Sequence, residues 1–198
     1  MVTLIVSFSL FAFVASATPG PSNVLAFSNG SQFGGRATLP FVTGCSLGAS
    51  SVLLLTASGL AGLFNSYPFL STLLAWCGAS WLTWLSWKLF RAPAIQGSTT
   101  GFSTPLPWHH GALMQAVNPK VWMMAITACA LFIPATGASF VHNAMLAVIF
   151  FIVTIPCMAA WGWMGQGSGA LLKTERQRRV LNQVLAVMLV VSVWGALV

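Results

Sequence analysis

Two short stretches place chain-breaking and polar residues inside otherwise apolar sequence. They are Thr18-Pro19-Gly20-Pro21-Ser22-Asn23 and Gln115-Ala116-Val117-Asn118-Pro119-Lys120. Pro19 and Pro21 lack backbone donors and their rings crowd the preceding turn. Gly20 adds conformational freedom. A helical break near residues 18–21 frees carbonyls before it and amides after it. In lipid each unsatisfied group costs several kcal/mol, so such a break calls for a partner from protein, water or ligand. Amides at a helix start favour an anion, and freed carbonyls favour an ammonium group. A zwitterion carries both charges and matches both ends. Asn23, Gln115 and Asn118 can add hydrogen bonds, while Thr18 and Ser22 either join them or only satisfy the broken backbone.

Lys120 is the charged residue expected deepest in an apolar stretch. An intramembrane Lys costs about 2.5–3.5 kcal/mol on insertion scales and faces a cavity or a partner. The chain contains no Asp, and its single Glu is Glu175, outside the apolar stretches. Lys120 either neutralises the carboxylate of a bound ligand or snorkels to the membrane surface. With no carboxylate in the spans, a proton carried across can ride only on Lys120, on a histidine near a span end or on the transported molecule.

Other reactive residues point to no enzyme. The cysteines Cys45, Cys77, Cys129 and Cys157 fall in apolar runs without a CxxC pair, and are expected as small buried hydrophobes. His109 and His110 open the fourth apolar stretch and His142 lies near the fifth. Neighbouring helical residues diverge by about 100°, so a shared metal site is not expected and interfacial packing is. There is no HExxH, no acidic pair and no His beside a candidate Ser. No catalytic residue, metal or cofactor is therefore expected.

The elements that must hold these groups are membrane helices. The chain of 198 residues is 57% hydrophobic and 5% charged, against about 25% charged in a soluble domain. The formal net charge of +7 does not imply nucleic acid, because the basic residues are few and lie between apolar runs. A span needs about 20 apolar residues. Six stretches qualify: 2–28, 39–63, 68–90, 108–134, 142–164 and 180–198. Ala15-Ser16-Ala17 resembles a cleavage site, but no Lys or Arg precedes it and apolar sequence resumes at Val24, so a retained first span is expected.

The linkers are 29–38, 64–67, 91–107, 135–141 and 165–179, with Gly97-Ser98-Thr99-Thr100-Gly101 as the most flexible run. Linkers 29–38, 91–107 and 165–179, with adjoining helix ends, hold Arg36, Lys88, Arg91, Lys173, Arg176, Arg178 and Arg179, whereas 64–67 and 135–141 hold no basic residue. The positive-inside rule places the basic linkers in the cytoplasm and both termini outside. Lys173 to Arg179 read as a topology anchor that touches anionic lipid heads.

Thr18-Pro19 and Asn118-Pro119 occupy matching places in the first and fourth spans, so the second half enters the membrane inverted. The predicted fold is a single all-α integral membrane domain over residues 1–198. It has six transmembrane helices arranged as two inverted three-helix repeats, 1–90 and 108–198, joined by a cytoplasmic linker 91–107. The first and fourth helices are broken, and the breaks meet near the midplane. Gly44 and Gly48 form a GxxxG pair with Ser46, Ser50 and Ser51 nearby, predicting close helix packing within the bundle or across a homodimer.

Several of these segments resemble the amino-acid exporters of the LysE/RhtB family. They are residues 18–25 from Thr18 to Leu25, Gly34, Gly44-Cys45-Ser46-Leu47-Gly48, residues 76–88 from Trp76 to Lys88, and Gln115 to Lys120. The likeness covers residues 10–130 well and the last third loosely. Segments around Cys45 and Trp81 are similar to the branch that exports cysteine and O-acetylserine, with Cys45 in place of Met and Trp81 in place of Tyr. The resemblance implies proton-driven efflux of small neutral amino acids, such as cysteine, O-acetylserine, homoserine or threonine, across the bacterial inner membrane. Thr18, Pro19, Gly20, Pro21, Asn23, Gln115, Asn118, Pro119 and Lys120 are the candidate substrate-binding residues. The alternatives are an uncoupled small-solute channel and a membrane accessory subunit.

Overall fold

Helix breakers set the order of elements. The computed structural model describes residues 2–60, 67–91, 104–134, 138–171 and 174–194, and among them the chain is helical with short breaks. The helices are α1 (Val2–Ala17), α2 (Pro21–Phe33), α3 (Gly35–Leu55), α4 (Pro68–Arg91), α5 (Trp108–Ala116), α6 (Pro119–Phe132), α7 (Phe140–Leu171) and α8 (Glu175–Trp194). A π-helical turn, Thr56–Leu60, extends α3. Pro21 and Pro119 each stand at the start of a helix, where the missing N–H removes no internal bond and the fixed φ favours the first turn. α1 and α2 meet at an angle of 60°.

The first expected linker, 29–38, is instead helical on both sides of a sharp turn at Gly34. Its φ of 89° lies in a region that glycine enters freely. The polar residues that suggested a loop are internal partners. Asn29 Nδ2 donates to Thr38 Oγ1 at 3.0 Å, and Asn29 Oδ1 accepts from the Leu106 amide at 3.1 Å. The Gly35 amide donates to Gln166 Oε1 at 2.7 Å. The expected linker 165–179 is likewise shortened, because α7 runs to Leu171 and α8 starts at Glu175. Thr174 and Gln177 form a reciprocal capping box: the Gln177 amide donates to Thr174 Oγ1 at 3.2 Å and the Thr174 amide to Gln177 Oε1 at 3.1 Å. Linker 91–107 from residue 92 to residue 103, including Gly97 to Gly101, lies outside the described residues, as do Lys173, residues 64–66 and 135–137, and the ends of the second and sixth expected spans.

Two helices are individually long and apolar enough to cross a membrane, Gly35–Gly59 and Phe140–Ser168, and the bent α1–α2 pair makes a third if taken as one span. The other expected spans do not meet this test among the described residues. Asn118 divides the fourth into α5 and α6, each short. α4 mixes Trp, Ser and Thr into its apolar residues, and α8 opens with Glu175-Arg176-Gln177-Arg178-Arg179.

Large apolar side chains cover the outside of the bundle, and a set of polar ones lies inside it. Val6, Leu10 and Phe13 on α1, Ile126 and Leu131 on α6, and Ile152 on α7 are exposed, while Ser22, Asn23, Asn29, Gln115, Asn118 and Thr154 are buried. Lipid solvates the first set and leaves the second to bond with one another. α7 packs along α1, α2 and α3, α3 also packs along α5, and α4 pairs with α8. The helices of the two halves thus interleave.

Small residues set these distances. A Cβ on Gly44 would fall 1.7 Å from the Trp108 carbonyl oxygen, and one on Gly48 would fall 2.5 Å from that of Ala112. Gly44 and Gly48 therefore face α5 of the same chain, with backbones in direct contact. Gly30 meets α7 in the same way, its Cβ position lying 1.9 Å from the Gly162 oxygen. Two apolar cores result. One joins Val24, Phe41, Val42, Met114 and Met158; the other joins Phe8, Leu53, Ala125, Leu146 and Phe150.

Candidate functional site

The break between α1 and α2 leaves the last carbonyls of α1 without helical donors. Pro21 has no N–H to offer Ala17, and the extended Gly20 (φ −162°, ψ 177°) turns the chain away. The carbonyls of Ser16, Ala17 and the following Thr18 each receive a side-chain donor. Asn23 Nδ2 donates to Ser16 O at 2.8 Å, and Trp161 Nε1 on α7 donates to Ala17 O at 3.2 Å. Lys120 Nζ donates to Thr18 O. The Thr18 hydroxyl turns back to the Val14 carbonyl.

The second break is built differently. The Val117 and Asn118 amides donate to Met114 O and Gln115 O, both at 3.3 Å, tightening the end of α5. Asn118 then caps α6, its Oδ1 accepting from the Lys120 amide at 3.2 Å. Trp122 Nε1 donates to Ala116 O at 2.8 Å.

Side chains tie the two breaks together. Asn118 Nδ2 donates to Ser22 Oγ and to Gln115 Oε1, each at 3.1 Å. Gln115 Nε2 lies 3.0 Å from Ser22 Oγ and donates to Gly111 O at 3.2 Å. The Lys120 chain crosses directly over Gly20: a Cβ there would lie 2.7 Å from Lys120 Cδ and 3.1 Å from Nζ. Glycine at position 20 is what lets the lysine reach the opposite break.

A cavity of about 40 Å³ opens beside this cluster. It has room for about one water molecule, far less than the roughly 300–1,000 Å³ of an ordinary ligand site. Of the residues singled out from sequence, Gly20, Pro21, Asn23, Gln115, Asn118 and Lys120 line the cavity, together with Ser22. Thr18 and Pro19 are exposed, and Thr18 contributes its carbonyl rather than its side chain. Pro119 is buried at the start of α6 and does not line the space.

The lysine does not stand alone. It satisfies a carbonyl on the facing break. No acidic group lies within the spans to compete for it. The arrangement brings a cation and side-chain amides to one cavity, beside carbonyls that the break frees from helical bonds.

Sequence reasoning missed the wall contributed by α3 and α7. Cys45, Ala49, Phe150, Thr154 and Met158 also line the cavity, as does Ser16. Thr154 stands two residues before Pro156, a polar-then-proline signal like that of the breaks, but α7 continues through it. Among the cysteines Cys45 is buried, Cys129 and Cys157 are partly so, and Cys77 is exposed on α4, contrary to the expected burial. An apolar run places a residue in the membrane without saying whether it faces protein or lipid. His109 and His110 are both exposed, with ring centroids 4.8 Å apart. Rotation of the side chains brings the rings closer than the divergence of their backbone positions suggests. His142 Nε2 lies 3.2 Å from Phe132 O.

Comparison with known proteins shows the family. The family model "LysE type translocator" matches residues 13–193. The cysteine/O-acetylserine efflux protein of Escherichia coli O1:K1 / APEC is 31% identical over 191 residues, covering 95% of this chain and 94% of the relative. Proteins of the same name from Escherichia coli (strain K12) and Shigella sonnei (strain Ss046) are 30% identical over 190 residues, again covering 95% of this chain and 94% of each relative. No solved structure gives a significant match. The chain belongs to the LysE type translocator family, as a multi-pass small-molecule efflux transporter of the bacterial inner membrane and not an enzyme.

Proposed function

We propose that the chain exports small neutral amino acids or their derivatives, of the cysteine, O-acetylserine, homoserine or threonine type, by proton-coupled alternating access. The observation that carries this reading is the Lys120–Thr18 link across two helix breaks, beside a cavity lined by donors. A substrate carboxylate replaces Thr18 O as the partner of Lys120. The released carbonyl then accepts from the substrate ammonium. Asn118, Gln115 and Ser22 exchange their mutual hydrogen bonds for bonds to the substrate, and Asn23 keeps the end of α1 satisfied. Pro19, Pro21 and Pro119 hold the breaks open.

The relatives named for cysteine and O-acetylserine efflux support this choice of substrate. The absence of Asp and of any Glu except Glu175 leaves Lys120 or the substrate itself as the simplest carrier of the coupled proton. The six-span, inverted-repeat topology belongs to the same proposal. Both termini lie outside, and residues 29–38, 91–107 and 165–179 face the cytoplasm. The two halves rock about the breaks.

Counterflow in proteoliposomes tests the reading. Preloaded serine or cysteine should drive uptake of labelled substrate against its gradient, and Lys120→Ala and Asn118→Ala should abolish it while the protein stays folded. Normal counterflow in both variants removes the site assignment. Flux that runs only downhill would establish a channel, and no flux at all would establish an accessory role.

A further inference from the structure

Hydroxyl groups in this bundle are mostly absorbed by their own helices. Thr38, Thr43, Ser46, Thr56, Thr83 and Thr127 each donate to the carbonyl four residues back, the usual resting place for such groups in a helix. Ser16 on α1 and Thr154 on α7 do not. Their oxygens lie 2.9 Å apart. The two residues are 7% and 4% exposed, and both line the cavity.

One of the two O–H groups donates within the pair. The other has no acceptor among the described residues, and the pair also retains free lone pairs. It shares no hydrogen bond with the Lys120, Asn118, Gln115 and Ser22 cluster. The remaining wall, Cys45, Ala49, Val121, Met124, Phe150 and Met158, is predominantly apolar. The cavity thus holds a second polar station that the charges of a zwitterion do not require.

We propose that the Ser16–Thr154 pair reads the substrate side chain, selecting a short chain with a hydroxyl, thiol or ester oxygen over an apolar chain of the same size. The inference rests on the reading of the cavity as an amino-acid site. A hydroxyl can accept the spare proton and donate to a free lone pair, and an ester oxygen can accept. An apolar side chain leaves the two hydroxyls bonded to each other, so its penalty is small. A preference of about threefold to tenfold follows from one neutral hydrogen bond. The far larger rejection seen when buried groups are stranded is not expected.

The test is competition in proteoliposomes of the full chain, comparing KM for serine with alanine and for threonine with valine. Wild type should favour each hydroxyl substrate by about threefold to tenfold. The double variant of Ser16→Ala with Thr154→Val, which removes both hydroxyls, should erase the preference, whereas either substitution alone leaves one hydroxyl and should retain it. Thr154→Ser should keep it. A preference that persists in the double variant overturns the proposal, as does a wild type that transports serine and alanine equally well. Failure of wild type to transport any amino acid would instead refute the underlying assignment of the cavity, and this proposal with it.

Discussion

Replacing Gly20 by Ala isolates the contact on which the site depends. The backbone at Gly20 is extended, with φ −162° and ψ 177°, so any residue can adopt it and no backbone strain is added. The whole effect must come from the new methyl group. It would lie 2.7 Å from Lys120 Cδ, a distance that real Cβ atoms do not tolerate, so the lysine chain must swing away. It then loses its charged hydrogen bond to Thr18 O and its reach toward the substrate carboxylate. Hydrogen bonds to charged groups contribute about 1.5–3 kcal/mol, which predicts a substrate affinity weaker by about tenfold to a hundredfold. The assay is equilibrium binding of labelled serine or cysteine to purified protein, run as a double-mutant cycle with Lys120→Ala. If Gly20→Ala acts through the lysine, it costs nothing further once the lysine is gone. Additive losses in the double variant, or wild-type affinity in Gly20→Ala, would refute the reasoning.

Three further outcomes follow from the same geometry. Trp161→Phe removes the donor that satisfies Ala17 O and should lower stability by about 1–3 kcal/mol, read as a fall in the thermal midpoint in detergent; an unchanged midpoint would show that this carbonyl finds another donor. Gly44→Ala places a methyl 1.7 Å from the Trp108 oxygen and should abolish folded yield on size exclusion, whereas Gly167→Ala meets nothing within 4 Å and should express normally. Asn29→Ala leaves the buried Leu106 amide without its acceptor and should destabilise by about 1–3 kcal/mol; wild-type stability in that variant would mean the amide is satisfied elsewhere.

The breaks were legible because proline chemistry is local. Pro19, Pro21 and Pro119 interrupt a helix wherever they stand, and the polar residues around them have few uses inside lipid. Their convergence was expected from their matching places in the first and fourth stretches. The partner of each freed carbonyl was not legible, because Trp161 lies 144 residues from Ala17. The ends of spans were misread for a related reason. Asn29, Thr38 and Gln166 look like loop residues, yet they bond to groups distant in sequence and extend the helices instead. Thr174-x-x-Gln177 carried a local signal for the start of α8, and its capping box was available to be read. Ser16 and Thr154 are ordinary helical hydroxyls in sequence. Only their mutual contact and their place at the cavity set them apart.

The central claim is that Lys120 exchanges a backbone carbonyl for a substrate carboxylate. The most direct measurement is the ratio of affinities for serine and serinamide, which differ in that carboxylate, in wild type and in Lys120→Gln. The account predicts strong preference for serine in wild type and loss of that preference in the variant. Equal binding of serine and serinamide by wild type, or an undiminished preference in Lys120→Gln, would contradict it.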